Sequence, residues 1–359
     1  MAQALTDPSG AFGLQNVSPA LLQRWEHLLG PLPPWFRRGL VTHHRDLDTL
    51  LQAVEERRPI YIYTGRGPSS RTMHLGHLVP FLFTRYLQTV LRDSHVVVQI
   101  TDDEKFLFRG LPWADVDANA RANILDIRAC GLQADRTFIF RNSEYMGTLY
   151  PNVLRLQAHI TNSQCFATLG IRPEHNIGQT AFCATQAAPV LASSFPQLRL
   201  PADALCLVPC GVDQDPFFRL ARDVAPKLGC PKPVLLCSAY LPSLKGVAEK
   251  MSSTVPDSAI FLSDTPQQIA AKIKKSVSGG RVGREEQEQH GADLAVDVAY
   301  QYLRFFLPSD AELDHITRHY GPDPDARPKL MCSAVKQRAI EVVTQVVADL
   351  QAARAALGV

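Results

Sequence analysis

Two histidines three residues apart, a glycine-rich turn ahead of them and a distant lysine followed by hydroxyls are the residues here best suited to phosphate chemistry. His74-Leu75-Gly76-His77 follows Thr64-Gly65-Arg66-Gly67-Pro68-Ser69-Ser70. Apolar residues at 78, 79, 81, 82, 83, 86, 87, 90 and 91 predict a helix that starts at the histidine pair. A helix N-terminus has unpaired N–H groups and the positive end of the dipole, so it favours a phosphate. On such a first turn His74 and His77 share one face, and Gly76 lets a flat ring approach the backbone. Lys250-Met251-Ser252-Ser253-Thr254 lies in a Gly- and Ser-rich stretch. A lysine there can close over a polyphosphate and neutralise charge that develops during transfer. His-x-Gly-His recurs by chance, and a loop lysine alone is ordinarily a solvated charge. Their pairing in one chain gives both weight.

The elements that must position these residues are legible around them. Pro59-Ile60-Tyr61-Ile62-Tyr63 reads as a buried strand that runs into the glycine-rich loop, and Val96 to Thr101 reads as the next strand. Strand, turn, helix and strand in this order make a βαβ unit, hence a parallel sheet with ligands at the C-terminal ends of its strands. Leu205 to Cys210 and Pro233 to Cys237 read as two further buried strands. Residues 105–180 read as a helical insertion between the halves of the sheet. Ahead of the sheet, Ser18-Pro19 predicts a capped helix start, and Asp46 begins a second helix with apolar positions 47, 50, 51 and 54. From Thr265 onward the pattern is helical. Val335, Ala339, Val342, Val346, Leu350, Ala353 and Leu357 form the expected apolar stripe of the last helix. The expected fold is α/β: a Rossmann-type parallel sheet with a helical insertion, plus a C-terminal all-helical domain. The expected division is 1–58 for an N-terminal extension and helices, 59–260 for the sheet domain and 261–359 for the helical domain.

Composition narrows the function classes. The chain has 359 residues, a formal charge of +2, 46% apolar and 20% charged residues, the profile of a soluble globular protein. Its longest apolar runs fall far short of the roughly 20 residues of a membrane span. Met1 to Gln15 has neither the charged start nor the apolar block of a signal peptide. The eight cysteines show one close spacing, Cys206-x-x-x-Cys210, and no second pair to complete a zinc site. They read as reduced, mostly buried thiols of a cytosolic protein, and no metal site is expected. From Thr265 onward basic and acidic side chains cancel, so charge alone does not announce a nucleic acid.

His74-Leu75-Gly76-His77 and Lys250-Met251-Ser252-Ser253-Thr254 resemble the two signatures of class I aminoacyl-tRNA synthetases. Tyr61 to Ser70, Thr101-Asp102-Asp103-Glu104-Lys105, Gln186-Ala187-Ala188-Pro189, Asp213-Gln214-Asp215-Pro216 and Ser278-Gly279-Gly280-Arg281 narrow the match. Together they resemble the tryptophanyl-tRNA synthetases of eukaryotic and archaeal type, from about Phe36 onward. The resemblance implies a Rossmann catalytic domain, a helical anticodon-binding domain and a cytoplasmic homodimer. It implies that L-tryptophan is activated by ATP with Mg2+ and passed to tRNA(Trp), with no tightly bound cofactor and no membrane partner.

Residue by residue, the resemblance assigns His74, His77 and Lys250 to catalysis. Arg66, Gly67, Ser69, Gly76, Gln214 and Ser252 join them around ATP. Glu104, Gln186 and Gln214 would meet the amino group and ribose. Tyr63 and Gln99 offer acceptors for one indole N–H. Lys105 reads as a solvated charge, and Arg281 is expected to touch the tRNA. Ser253 and Thr254 depart from the usual lysine signature. Only a short segment, with Asp7 to Gly13 in it, precedes the first expected helix, where eukaryotic members have a longer one, so no appended domain is expected. Three competing readings remain at this point: a tyrosyl-tRNA synthetase, another nucleotidylyltransferase, and a catalytically silent synthetase-like binding protein.

Overall fold

The structure, a computed structural model, describes residues 13–249, 251–252 and 255–358. Lys250, Ser253, Thr254 and the segment Asp7 to Phe12 therefore lie outside the described residues. Seven strands form one sheet: β1 (Gln15–Asn16), β2 (Val41–Arg45), β3 (Ile60–Arg66), β4 (His95–Ile100), β5 (Thr137–Arg141), β6 (Leu205–Gly211) and β7 (Val234–Ser238). Around it are α1 (Pro19–Leu29), α2 (Pro34–Arg37), α3 (Leu47–Glu55), α4 (Leu75–Val90), α5 (Asp102–Arg109), α6 (Trp113–Ala129), α7 (Asn142–Gln157), α8 (Asn162–Leu169), α9 (Ile177–Ala187) and α10 (Asp215–Val224). The remaining helices are α11 (Pro266–Lys275), α12 (Arg284–His290), α13 (Val298–Phe306), α14 (Asp310–Tyr320) and α15 (Cys332–Ala355). By its internal contacts the chain divides into two units, residues 1–71 with 80–239, and residues 72–79 with 240–359.

In the first unit the strand order is β1-β2-β7-β6-β3-β4-β5. The five strands from β7 to β5 are mutually parallel, while β1 and β2 are added antiparallel at one edge. Both faces of the parallel part are covered, so its strands read as continuous apolar runs. Ile62, Val96, Val97, Val98, Leu207, Leu235 and Leu236 are wholly buried. The chain leaves β3 toward β4 on one side and later returns to β6 on the other. That reversal opens a crevice at the C-terminal ends of β3 and β6.

Three local differences from the sequence reading have physical causes. The expected glycine-rich loop begins later, because Thr64, Gly65 and Arg66 still pair with Val98, Gln99 and Ile100 of β4. Residues 137–141 lie within the stretch read as helical, yet they form β5 along the edge of β4; five residues between helices are too few for a clear period. The strand β2 holds His43, His44 and Arg45, all buried. Arg45 forms two bonds to Asp215, Nε–Oδ1 2.6 Å and Nη2–Oδ2 2.8 Å, and this buried pairing lets a cationic residue sit in a strand.

The second unit packs α15 on α11 and α13. Val335, Ala339, Val342, Val343, Val347 and Leu350 of α15 are buried. The expected stripe holds at Val335, Ala339, Val342 and Leu350 and departs at two positions. Val347 is buried where Val346 was expected, and Leu357 is exposed, as a 3.6-residue turn carries the buried face around the axis. Asp297 organises the loop before α12. Its carboxylate accepts from Ser278 Oγ (3.0 Å), Gly279 N (2.9 Å), Tyr300 N (2.8 Å) and Tyr320 Oη (2.8 Å). A Cβ on Gly279 would lie 1.9 Å from the Asp293 carbonyl oxygen, so only glycine fits there.

Candidate active site

The sequence-predicted residues fall into three groups. The first sits at the C-terminal ends of β3 and β4. Tyr63 is 2% exposed and Gln99 is wholly buried. Tyr63 Oη lies 2.5 Å from Gln99 Oε1 and 3.0 Å from the Gln186 carbonyl oxygen. Gln99 Nε2 donates to Asn142 Oδ1 (2.8 Å) and to the Thr185 carbonyl (3.2 Å). Burial, then the neighbouring Cys206 and Cys210, push the Tyr63 phenol well above its usual range. It therefore stays a neutral hydroxyl that can donate and accept. Gln186 Nε2 donates to Gln214 Oε1 at 3.1 Å. Gln214 immediately precedes α10, whose first residue Asp215 is held by Arg45.

The second group surrounds the turn after β3. Arg66 Nε donates to Asn123 Oδ1 (3.0 Å) and Nη2 to Ser69 Oγ (3.4 Å). Burial lowers the Arg66 guanidinium to about 10, against the opposing pull of Glu104 and Asp126, so it remains a cation at neutral pH. Asn123 also donates to the carbonyls of Ser70 (2.8 Å) and Arg71 (3.3 Å), which ties the turn to α6. Glu104, on the first turn of α5, accepts from Thr101 Oγ1 at 3.0 Å. A Cβ on Gly67 would fall 2.1 Å from Glu104 Oε2 and 2.9 Å from Lys105 Cε, so glycine here is the space into which Glu104 lies. Lys105 corrects the sequence reading. Its side chain is 17% exposed and ion-paired with Glu104 rather than solvated.

The third group belongs to the second unit. The rings of His74 and His77 stack with centroids 3.5 Å apart and planes 22° from parallel, at the entrance to α4. Backbone bonds from Leu75 N to Ile260 O (2.9 Å) and Leu262 N to Met73 O (2.9 Å) hold this turn against residues 260–262. A Cβ on Gly76 would lie 3.0 Å from Met251 Sδ and 3.1 Å from His74 Nδ1. Met251 and Gly76 therefore bring the two signature segments into contact. Ser252 N donates to Ser258 Oγ at 3.1 Å. Arg281, in the same unit, is exposed, and its Nε donates to the Gly291 carbonyl at 3.1 Å.

Several residues that build the site were missed in the sequence. Asn123 carried a signal, as a polar residue in the buried face of α6 with Val116, Ala120 and Ile127. Asp103 and Asn142 carried none that spacing could reveal. All eight cysteines are thiols, six of them buried; burial pushes Cys130 and Cys206 up to about 12. Among the described residues no group of three or more His, Cys, Asp or Glu side chains could hold a metal ion. None of the described helices is long and apolar enough to cross a membrane.

The first unit thus carries a five-stranded parallel sheet with a crevice beside β3, and the second a stacked histidine pair entering α4 beside Met251. The family described as tRNA synthetases class I (W and Y) matches residues 55–169 and 189–347. The cytoplasmic tryptophan--tRNA ligase of Oryctolagus cuniculus is 44% identical over 349 residues, covering 96% of this chain and 72% of that protein. That of Schizosaccharomyces pombe is 44% identical, covering 96% and 87%. The tryptophanyl-tRNA synthetase of Giardia lamblia superposes with a TM-score of 0.89 at 40% identity, covering 96% and 91%. The Encephalitozoon cuniculi structure, bound to tryptophan, has a TM-score of 0.87 at 40% identity, covering 96% and 92%. The chain belongs to the class I tRNA synthetases of the tryptophan and tyrosine family.

Proposed function

We propose that this chain is a tryptophan--tRNA ligase, which activates L-tryptophan with Mg-ATP and charges tRNA(Trp). A carboxylate oxygen of tryptophan attacks the α-phosphorus. The bond to the bridging oxygen breaks, and pyrophosphate leaves with its magnesium. The terminal ribose hydroxyl of the tRNA then attacks the acyl carbon, AMP leaves, and the hydroxyl proton passes to solvent. His74 and His77 would donate to the α-phosphate and bridging oxygens, and Lys250 would stabilise the leaving pyrophosphate. Arg66, Gly67, Ser69, Gly76 and Ser252 would line the phosphate path. Glu104 and Gln186 would hold the ammonium group, with Gln214 shared between it and the ribose. Both steps rest largely on positioning and charge stabilisation.

The observation that most supports tryptophan as the substrate is the buried Tyr63–Gln99 pair. The Gln99 amide nitrogen is committed to Asn142 and Thr185, so its oxygen and the phenol oxygen are what this pair offers a ligand. An indole N–H is a donor and has no acceptor, which matches that offer. We infer a cytoplasmic homodimer as well. The exposed edge-to-face pair Phe106–Trp113, centroids 5.9 Å apart, supports a protein interface on the first unit. Residues 261–359 are proposed to meet the anticodon arm. Pyrophosphate exchange with each of the amino acids in turn tests the reading. Exchange dependent on tryptophan is expected. Exchange dependent on tyrosine, or none at all, would overturn it.

A further inference from the structure

Two bonds run side by side between the start of α5 and the start of α7. Asp102, wholly buried, accepts from Arg141 Nε at 3.0 Å and from Ser143 N at 3.1 Å. Arg141 is further held by Asp117 (2.8 Å) and Glu144 (2.8 Å). This locks the two helix starts together and sets their neighbours, Asp103 and Asn142, against each other. Asn142 Nδ2 donates to Asp103 Oδ1 at 2.8 Å, and Asn142 Oδ1 accepts from Gln99 Nε2 at 2.8 Å. The chain of bonds ends at Tyr63 Oη, 2.5 Å from Gln99 Oε1.

We propose that Asp103 and Asn142 are positioning residues for indole recognition: the carboxylate fixes which way round the Asn142 amide sits, and that amide fixes Gln99 with its oxygen toward Tyr63. The inference rests on the reading that Tyr63 and Gln99 meet the indole N–H. Its logic is one of donors and acceptors. An ionised carboxylate only accepts, so Asn142 must present its NH2 to Asp103 and its oxygen to Gln99. Gln99 must then answer with its NH2, which leaves its oxygen on the other side. The Thr185 carbonyl, also accept-only, acts in the same sense at 3.2 Å. An amide at position 103 removes one of these two constraints, because two facing amides satisfy each other in either order, and leaves only the longer Thr185 bond to hold Gln99. Gln99 could then turn its NH2 toward the indole N–H, donor against donor.

The test compares kcat/KM for tryptophan with that for the analogue carrying sulfur in place of the indole nitrogen, by pyrophosphate exchange on the full chain. The ratio of the two does not depend on how much of a preparation is folded. Asp103→Asn is expected to lower the ratio by roughly 3- to 10-fold, the range of one lost hydrogen bond. The exchange Asp103→Asn with Asn142→Asp should restore it to within about two-fold, since a carboxylate at 142 again only accepts from Gln99. An unchanged ratio in Asp103→Asn, with a lowered one in Tyr63→Phe/Gln99→Leu, overturns the inference alone. So does a lowered ratio that the exchange fails to restore, which would mean that Asp103 acts through its charge. An unchanged ratio in Tyr63→Phe/Gln99→Leu overturns the reading of the indole site, and the inference with it.

Discussion

The Tyr63–Gln99 cluster and the His74–His77 pair hold their side chains by different means. The first is a chain of side-chain hydrogen bonds sunk among β3, β4 and the starts of α5 and α7, with Gln99 and Asn142 wholly buried. The second rests on ring stacking at the entrance to α4 and on backbone bonds to residues 260–262. The difference follows from what each would have to do. Telling one side chain from another needs donors and acceptors of fixed sense, and buried, fully paired groups supply that. A triphosphate changes charge and shape during reaction, and donors near a helix entrance with a nearby cation can follow it. The Tyr63–Gln99 cluster is thus over-determined by its neighbours, whereas the His74–His77 pair would act together with Lys250 in the proposed reaction.

Three changes would sharpen that contrast, the strongest first. Lys250→Ala should leave tryptophan binding nearly intact while slowing adenylate formation by roughly 100- to 1,000-fold, the scale of a cation acting mainly in the transition state. Single-turnover formation at saturating Mg-ATP is the measurement, and an unchanged rate would remove Lys250 from the mechanism.

Gly67→Ala probes the turn after β3. The added methyl would take the space of Glu104 Oε2 and turn that carboxylate aside. The Michaelis constant for tryptophan should rise by roughly 10- to 100-fold, as for loss of a charged hydrogen bond. Melting temperature should move by only about 2 °C, because the displaced atoms are the ends of flexible side chains. A Michaelis constant at the wild-type value would show that Glu104 does not hold the ammonium group.

The smallest effect is on stability. Burial raises the Asp103 carboxyl to about 6. The Asn142 hydrogen bond opposes that rise, while Asp102 and Glu104 add to it. The folded chain therefore keeps a proton that the unfolded chain releases near 3.8. The associated stability is fully present below 3.8 and is lost as pH rises through about 6. A shift of this size corresponds to at most about 3 kcal/mol. Asp103→Asn should accordingly gain stability over the wild type at pH 7, and the gain should shrink toward pH 4.5. Urea midpoints at the two pH values check this. A gain that is larger at pH 4.5 would contradict it.

The sequence was most legible where residue types at adjacent positions constrain one another. The glycine-rich turn, the histidine pair and the strand beneath them are read together because each constrains the next. Ser18 does cap α1, accepting from Leu21 N at 3.3 Å, with Pro19 in the first turn. Partners far apart in the chain stayed invisible. Nothing in Arg45 announces Asp215, 170 residues on, and nothing in Asp103 announces Asn142, 39 residues on. Their pairing is made by the sheet, which carries β2 beside β7 and β5 beside β4. The strand β2 was missed for the same reason, since His43, His44 and Arg45 look like a solvated turn until their buried partners are known.

The central claim is that Tyr63 and Gln99 accept the indole N–H. It is tested most directly by Tyr63→Phe/Gln99→Leu, which removes both acceptors with little change in volume. Burying one N–H without a partner costs about 1–3 kcal/mol. Wild type should therefore favour tryptophan over the sulfur analogue by roughly 10- to 100-fold in kcat/KM. In the double variant tryptophan should lose most of that advantage while the analogue is affected far less. A double variant that keeps the wild-type ratio would contradict the account and leave these two residues as pocket wall.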